Sequence, residues 1–230
     1  MVFSSPVFLF IFLTSVYVLY RIIPTTTAKN ILLLVFSIAF YTYGEPKAVV
    51  LMIISIFMNH FFGLAMKKEN KMRKPVLAVS VTANLLMLGI FKYAGFGAQM
   101  LNKLPFVSVS IPQIALPIGI SFYTFQALSY TVDVWRGDVP AQRSFAKLLL
   151  YISLFPQLIA GPIVRYSDVA AQIDDRQFDA SEAFYGATRF CVGLAKKVLL
   201  ADAAGKVASQ ILDGSLASST TVAAWLGILL

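Results

Sequence analysis

The sequence has little charge and almost none of the side chains that form disulfides or hold metal ions. Charged residues make up 13% of the 230 positions and hydrophobic residues 58%, whereas soluble domains average about 25% and about 45–50%. So little charge cannot cover a surface that faces water, which indicates a lipid environment. A single cysteine, Cys191, excludes a disulfide or a thiolate metal site within the chain. A single histidine, His60, eliminates much triad and metal chemistry, and we expect no metal site.

The basic residues do not follow the pattern of a nucleic-acid-binding protein. The net charge is +8, but a DNA or RNA binder gathers its lysines and arginines on one face. Here they lie between apolar runs, as in the loops of membrane proteins. The sequence therefore predicts a protein of the lipid bilayer that binds no nucleic acid.

Four apolar runs within residues 1–93 predict four transmembrane helices, since a helical span needs about 20 mostly apolar residues. They cover residues 3–20, 30–44, 48–66 and 75–91. The first run lacks the basic start and the cleavage site of a signal peptide, so we interpret it as a retained span. The basic residues within 67–74 place that loop in the cytoplasm and hence the N-terminus outside.

The middle of the chain combines apolar runs with helix-breaking residues. Residues 117–134 predict one span, preceded by an outside loop or interfacial segment. Residues 148–164 are apolar but contain Pro156, Gly161 and Pro162. Broken helices at membrane depth survive only where protein or a water-filled cavity satisfies the freed backbone groups. This segment is therefore either a re-entrant or pore-lining element or a kinked ordinary span, and the sequence favours neither.

The last part of the chain, residues 166–213, is predicted to be a cytoplasmic or interfacial segment. Residues 168–182 are the most polar stretch and predict a water-exposed loop, with a helix beginning near Ser181. Residues 183–198 are too charged for a lipid-facing span and predict an amphipathic helix at the interface. Residues 214–230 predict the start of an incomplete transmembrane helix. Its apolar part is about half a span long, which predicts a C-terminally truncated sequence with further membrane helices downstream.

Three motifs follow one another along the second half of the chain. They comprise residues 117–130 with Asp133, Arg136 and Gly137, then residues 154–165, then residues 193–198 with Ala201 and Asp202. This series resembles the membrane-bound O-acyltransferase family, in its bacterial branch of alginate O-acetyltransferases and teichoic-acid D-alanyl transfer proteins. Residues 3–63 are similar too, so the resemblance covers nearly the whole chain. Three motifs in the same order are far more specific than any one alone.

The resemblance implies an all-α, polytopic transmembrane bundle in the bacterial plasma membrane. It implies an enzyme that moves an acyl group, with acetyl as the first candidate, to hydroxyls of an extracytoplasmic polysaccharide such as alginate. The implied donor is a cytoplasmic thioester, either acetyl-CoA or an acyl carrier protein. It implies no bound cofactor, and an extracytoplasmic acyltransferase protein as partner. The family's essential histidine lies well downstream of these motifs, and His60 does not match it. We therefore expect no catalytic residue in this chain, a catalytic histidine beyond Leu230, and no activity of the 230 residues alone.

The central motif carries an unusual number of hydroxyl and amide side chains. Tyr123, Gln126 and Tyr130 share one helix face, because residues three and four apart are neighbours, and Ser121 precedes them. Such a face either lines a polar tunnel for an acyl donor or acceptor, or supplies hydrogen bonds between helices. We regard all four residues as candidates for lining the substrate channel.

Further polar residues have a functional and a structural interpretation. Gln157 and Arg165 flank the proline and glycine breaks; the Arg165 guanidinium could hold a phosphate of the thioester donor, although an anchor on the cytoplasmic side is favoured. Asp133 and Arg136 are interpreted as an interfacial ion pair. His60 is interpreted as a neutral imidazole bonded to a neighbouring helix, together with Asn59, because it lacks partners for a triad or a metal site.

Two other function classes stay open on the sequence. Broken helices at mid-membrane also occur at the binding sites of transporters, although the two related halves of such proteins are not evident here. A non-catalytic membrane scaffold is the third hypothesis.

Overall fold

The computed structural model describes residues 3–66, 72–103, 115–159, 161–212 and 221–229. Throughout these residues the chain is helical and contains no strand, so the predicted all-α class is confirmed. The chain divides into two compact units. One is Phe10–Arg176, and the other is Val2–Leu9 together with Gln177–Leu230.

The helices up to residue 176 differ greatly in length. They are α1 (Val7–Ile22), α2 (Thr26–Gly44), α3 (Ala48–Ala65), α4 (Arg73–Leu101), α5 (Ile120–Arg136), α6 (Phe145–Ser153), α7 (Phe155–Leu158) and α8 (Tyr166–Asp174). The first part of α1, Val7–Leu13, is π-helical. Thr25 caps α2, its hydroxyl accepting a hydrogen bond from the Ala28 amide at 3.4 Å. Leu154 is extended, which separates α6 from α7 just before Pro156.

Helices α1 to α4 cover the four apolar runs that were predicted as spans. Within the described residues, α3 and α4 are long and apolar enough to cross a bilayer, judged by length and composition alone. Helix α4 continues past the predicted end at residue 91 to Leu101. Most of the predicted cytoplasmic loop and of the predicted outside segment, residues 67–71 and 104–114, lies outside the described residues.

Helix α5 lies at the centre of the first unit. It packs against α3 and α4 along its length, and it also contacts α6 and α8, while α2 packs against α6. The large side chains with the lowest exposure come from several of these helices, among them Tyr41, Met52, Ile56, Tyr123, Tyr130 and Tyr151. The apolar core of this unit is therefore assembled around the helix that carries the first motif.

A buried pair of amides joins α3 to α4. Asn59 donates to the Asn84 side-chain oxygen at 3.0 Å, and Asn84 donates to the Asn59 side-chain oxygen at 2.9 Å. Each amide also bonds the carbonyl four residues earlier in its own helix, that of Ser55 or Ser80. Amide pairs of this kind hold apolar helices together where no water competes. Asn59 therefore pairs with Asn84, and the predicted partnership with His60 is wrong.

The second unit contains α9 (Ala180–Lys196), which continues through a π-helical turn, Lys197–Ala201, into α10 (Asp202–Leu212), and α11 (Thr221–Leu229). Asp179 caps α9, accepting from the Ser181 amide at 2.7 Å and from its hydroxyl at 2.8 Å. These bonds hold the pKa of the Asp179 carboxyl below its usual range.

The structure corrects one prediction for this region and leaves another untested. Residues 168–174 belong to helix α8 of the first unit rather than to a loop, because Ile173 is buried where α8 packs against α2, α5 and α6. A helix does begin near Ser181, as predicted. Of the predicted incomplete span, residues 214–220 and Leu230 lie outside the described residues, and the rest forms α11.

Candidate functional site

The polar face of α5 points into the first unit. Tyr123, Gln126 and Tyr130 are each at most 3% exposed, as the shared helix face predicts. Ser121 is only half-buried. The face lies opposite α6 and α7, the segment that contains the proline break.

A tight turn positions the start of α5. Gly119 has φ +80°, a left-handed conformation that favours glycine. A Cβ atom there would lie 2.8 Å from the Leu158 carbonyl oxygen at the end of α7. The Tyr41 hydroxyl donates to the carbonyl of the neighbouring Ile118 at 2.9 Å. The motif thus places the N-terminus of α5 directly against the end of α7.

The described residues of the segment 145–166, which are 145–159 and 161–166, form a hairpin. Its inward limb ends at α7, where the Ser37 hydroxyl accepts from the Phe155 amide at 3.2 Å and so satisfies one backbone group at the break. On the return, the Tyr151 hydroxyl donates to the Val164 carbonyl at 2.7 Å. Tyr166 then lies beside Gln142, which precedes the hairpin. The segment therefore begins and ends near the same end of α5.

Gln126 connects α5 to this hairpin. Its side-chain amide donates to the Tyr151 carbonyl at 3.1 Å and to the Gln157 side-chain oxygen at 3.4 Å. Gln126 and Gln157, which were selected separately from the sequence, therefore meet. Because one amide bridges both helices of the hairpin, it fixes the position of Gln157 relative to α5.

A second polar connection runs through Tyr130. Its hydroxyl accepts a hydrogen bond from the backbone amide of Gln142 at 2.9 Å. The side-chain amide of Gln142 donates to the Tyr166 hydroxyl at 2.7 Å. The Tyr166 ring packs edge-to-face against both Tyr130 and Tyr151, with ring centroids 5.2 and 5.1 Å apart. Gly63 of α3 leaves the room that the Tyr130 hydroxyl occupies. Hydrogen bonds and edge-to-face ring contacts together hold the base of the hairpin in place.

Some polar atoms near this face have no hydrogen-bond partner within the described residues. They are the Tyr123 hydroxyl, the Thr124 hydroxyl, one carboxylate oxygen of Asp133 and the Ser153 hydroxyl. Buried polar groups normally have partners, so unpaired ones mark positions where another group can bind. The Tyr123 hydroxyl is the candidate among them that lies on the predicted channel face.

The remaining sequence candidates do not join this cluster. Arg165 is exposed at the start of α8. Asp133 forms no ion pair with Arg136: in the part of the chain that the structure describes, the ion pairs are Lys147–Asp174 and Lys197–Asp202. His60 packs edge-to-face against Phe145, with ring centroids 5.7 Å apart, and its Nδ1 atom is buried without a partner. Among the described residues, no cluster of three acidic, His or Cys side chains could hold a metal ion.

A cavity of about 580 Å³ opens where α3 and α5 end. It is lined by Leu64, Met66, Arg73, Val134, Gly137, Val139, Pro140, Ala141 and Arg143. Arg73 is held in place because its guanidinium donates to the Val134 carbonyl at 3.2 Å and to the Trp135 carbonyl, both at the C-terminal end of α5. Two arginines therefore edge a cavity with an otherwise mainly apolar lining.

The chain is similar along its length to proteins that are named as O-acetylases or O-acetyltransferases. A probable alginate O-acetylase AlgI of Pseudomonas syringae pv. tomato is 39% identical, over 100% of this chain and 45% of that protein. The probable alginate O-acetylase AlgI of Azotobacter vinelandii is 38% identical over 100% of this chain, and the match covers 47% of that protein. A peptidoglycan O-acetyltransferase of Helicobacter pylori is 30% identical over 88% of this chain, and the match covers 45% of that protein. The chain belongs to the membrane-bound O-acyltransferase family.

This member of the family spans about half the length of the curated relatives it matches. No family model and no solved structure matches it. Its first two motifs are the parts that the fold brings together, since α5 carries one and the hairpin carries the other.

Sequence reasoning missed three residues of this cluster. Tyr151, Tyr166 and Gln142 bind the hairpin to α5, but none of them was selected. Tyr151 was hidden in an apolar run, and Gln142 lies in a connection without periodicity. The signal that could have found Tyr166 is its position directly after the second motif.

Proposed function

We propose that this chain is part of a membrane O-acetyltransferase that transfers an acetyl group to hydroxyls of an extracytoplasmic polysaccharide, with alginate as the first candidate. The observation that carries the proposal is identity of 38–39% across the whole chain to proteins named as alginate O-acetylases. The peptidoglycan O-acetyltransferase of Helicobacter pylori also bears a name for acetyl transfer to oxygen. Relatives with different acceptors thus have this type of reaction in common.

The proposal includes a polytopic bundle in the bacterial plasma membrane with its N-terminus outside. Two long apolar helices support it. So do large side chains on α4 that are more than half exposed, namely Val79, Leu86, Ile90 and Phe96. A water-soluble protein rarely exposes so much apolar surface on one helix. Basic residues at the start of α4 and after α5 mark the cytoplasmic end.

We further propose that a thioester of coenzyme A or of an acyl carrier protein is the donor, and that it enters at the arginine-edged cavity. Such donors carry a pantetheine arm with a phosphate, and guanidinium groups bind phosphate through two parallel hydrogen bonds. The cavity lies at the proposed cytoplasmic end and is large enough for a small-molecule ligand. No bound cofactor is required, because the donor is a substrate.

Acyl transfer to a sugar requires little of this chain except positioning. The hydroxyl oxygen attacks the thioester carbonyl, the thiolate leaves, and a base takes the hydroxyl proton and passes it to the thiolate. We assign that base to a histidine in the other part of the protein, so the 230 residues alone are expected to be inactive. Tyr123, Gln126 and Gln157 are assigned to the channel wall, where amides and a hydroxyl orient the reactants.

The test compares two glutamines in the protein as it is produced by the cell. Gln126→Leu removes the bridge to Gln157, and Gln99→Leu makes the same change at an exposed position of α4. We expect the acetyl-ester content of the secreted polysaccharide, measured by proton NMR, to fall about tenfold or more for Gln126→Leu and to stay unchanged for Gln99→Leu. Equal acetylation by both variants, at equal membrane levels, would refute the assigned role.

Two parts of the proposal need their own experiments. Peptidoglycan is the second candidate acceptor, on the strength of the Helicobacter relative. Measuring acetyl esters on isolated alginate and on peptidoglycan, with and without the gene, distinguishes the two. An extracytoplasmic acyltransferase is proposed as partner, and copurification of such a protein from solubilised membranes is the expected result.

A further inference from the structure

Two cationic side chains meet at one tyrosine ring near the start of α2. The Lys29 ammonium lies 5.0 Å from the centre of the Tyr20 ring, and the Arg176 guanidinium carbon lies 5.7 Å from it. Lys29 is in the first turn of α2, and Arg176 follows the end of α8. Three separate parts of the first unit therefore place two positive charges around a single aromatic ring.

Within the described residues, neither Lys29 nor Arg176 forms an ion pair. Both ion pairs found there lie elsewhere and use Lys147 and Lys197. Arg176 donates to the side-chain oxygen of Asn30, which is neutral, and its Nε atom is buried without a partner. Two like charges at one ring repel each other, and a ring quadrupole compensates for a positive charge only weakly. The arrangement is complementary to an added negative group.

An apolar slot extends inward from Arg176. It has a volume of about 160 Å³ and lies between α2, α6 and α8. Most of its lining is apolar, from Leu33, Leu150, Leu154, Val169 and Ile173, and Tyr151, Gln157 and Gln172 complete it. Leu33 is four residues from Lys29 and so lies on the same face of α2. A positive rim above an apolar slot matches a ligand with an anionic head and a hydrocarbon tail.

We propose that Tyr20, Lys29 and Arg176 bind the headgroup phosphate of an anionic phospholipid, and that the slot receives the first part of an acyl chain. The inference rests on the proposed membrane placement. The slot shares no lining residue with the arginine-edged cavity, and its inner end reaches Gln157 of the proposed channel wall. Anionic lipids concentrate in the cytoplasmic leaflet, the side to which these residues are assigned.

Binding there would act on α8. Asn30 donates to the Ile173 carbonyl at 2.8 Å at the end of α8, so α2 and α8 already meet beside the lipid site. A phosphate held by Lys29 and Arg176 would join the same two helices a second time. The lipid would therefore tie the end of α8, the helix that follows the hairpin, to α2.

The test uses the purified protein in nanodiscs of phosphatidylcholine with a minority of phosphatidylglycerol. Native mass spectrometry measures which lipid stays bound. The double variant Lys29→Gln/Arg176→Gln removes both cations of the site. The matched control is Lys92→Gln/Arg189→Gln, because Lys92 and Arg189 each lie 5.5 Å from a tyrosine ring but not from the same one. We expect phosphatidylglycerol retention to fall about tenfold or more in the first variant and to change less than about twofold in the second.

Three further measurements make the outcome decisive. Lys29→Arg/Arg176→Lys keeps both charges and is expected to retain the lipid, which separates loss of the site from loss of folding. Glycerol phosphate, which has the head but no chain, is expected not to displace the lipid from the unaltered protein; displacement would mean a free phosphate site and overturn the proposal. Equal loss in both glutamine variants would overturn it as well. Release of the protein from membranes by alkaline carbonate would instead contradict the membrane placement itself.

Discussion

A glycine series tests whether the contact between α5 and the hairpin tip holds the candidate site together. Gly119 and Gly137 both have positive φ, +80° and +89°. A Cβ at Gly119 would lie 2.8 Å from the Leu158 carbonyl oxygen, whereas a Cβ at Gly137 would meet nothing within 4 Å. The two substitutions to alanine therefore share the backbone strain and differ in the collision.

The expected magnitudes follow from these two terms. A left-handed alanine costs about 1–2 kcal/mol of unfolding free energy, so Gly137→Ala should lose that amount. Gly119→Ala should lose a further ~1–3 kcal/mol, because the backbone oxygen of Leu158 cannot rotate away as a side chain can. Gly89→Ala, inside α4 with open space around it, should gain up to about 1 kcal/mol from helix propensity.

Thermal unfolding in detergent, followed by circular dichroism, measures the three changes. Acetyl-ester content of the polysaccharide gives the second readout, and it should fall for Gly119→Ala but not for Gly89→Ala at equal membrane levels. If Gly119→Ala and Gly137→Ala lose the same stability, and Gly119→Ala keeps full activity, the contact of α7 with the start of α5 does not hold the candidate site together.

Three other sets of substitutions test separate parts of the structure. Asn59→Leu and Asn84→Leu should each cost about 1–2 kcal/mol by thermal unfolding, because each leaves the other amide buried and unpaired, while the double variant should cost less than their sum. Gly63→Ala should destabilise by about 1–3 kcal/mol, since its Cβ would lie 2.8 Å from the Tyr130 hydroxyl oxygen; adding Tyr130→Phe should recover part of that loss. Arg143→Gln should raise the KM for the thioester donor about tenfold with little change in kcat, because the group would contact a phosphate far from the reacting carbonyl.

Each of these predictions has an outcome that contradicts it. Additive losses in the asparagine pair would mean that the two amides do not interact. No recovery in the double variant of Gly63 and Tyr130 would place the collision elsewhere. An unchanged KM for Arg143→Gln, with Arg189→Gln as the control of equal charge, would remove the cavity from the path of the donor.

The sequence alone determined the features that depend on neighbours along the chain. Apolar runs of span length predicted the positions of α1 to α4, because every such run must be removed from water by burial or by contact with lipid. The spacing of Tyr123, Gln126 and Tyr130 predicted their common face because helix geometry is local. Ordered motifs indicated the family before any contact was known.

Only the tertiary structure decided which segments meet. Proline and glycine at the break did not predict which residues the following segment contacts, and the bonds from Gln142 to Tyr166 and from Tyr151 to Val164 show that it folds back on itself. The choice of Asn84 as the partner of Asn59 depends on how α3 and α4 lie side by side. Such pairings join residues far apart along the chain, and their energy exists only once the helices have packed, so no local pattern could predict them.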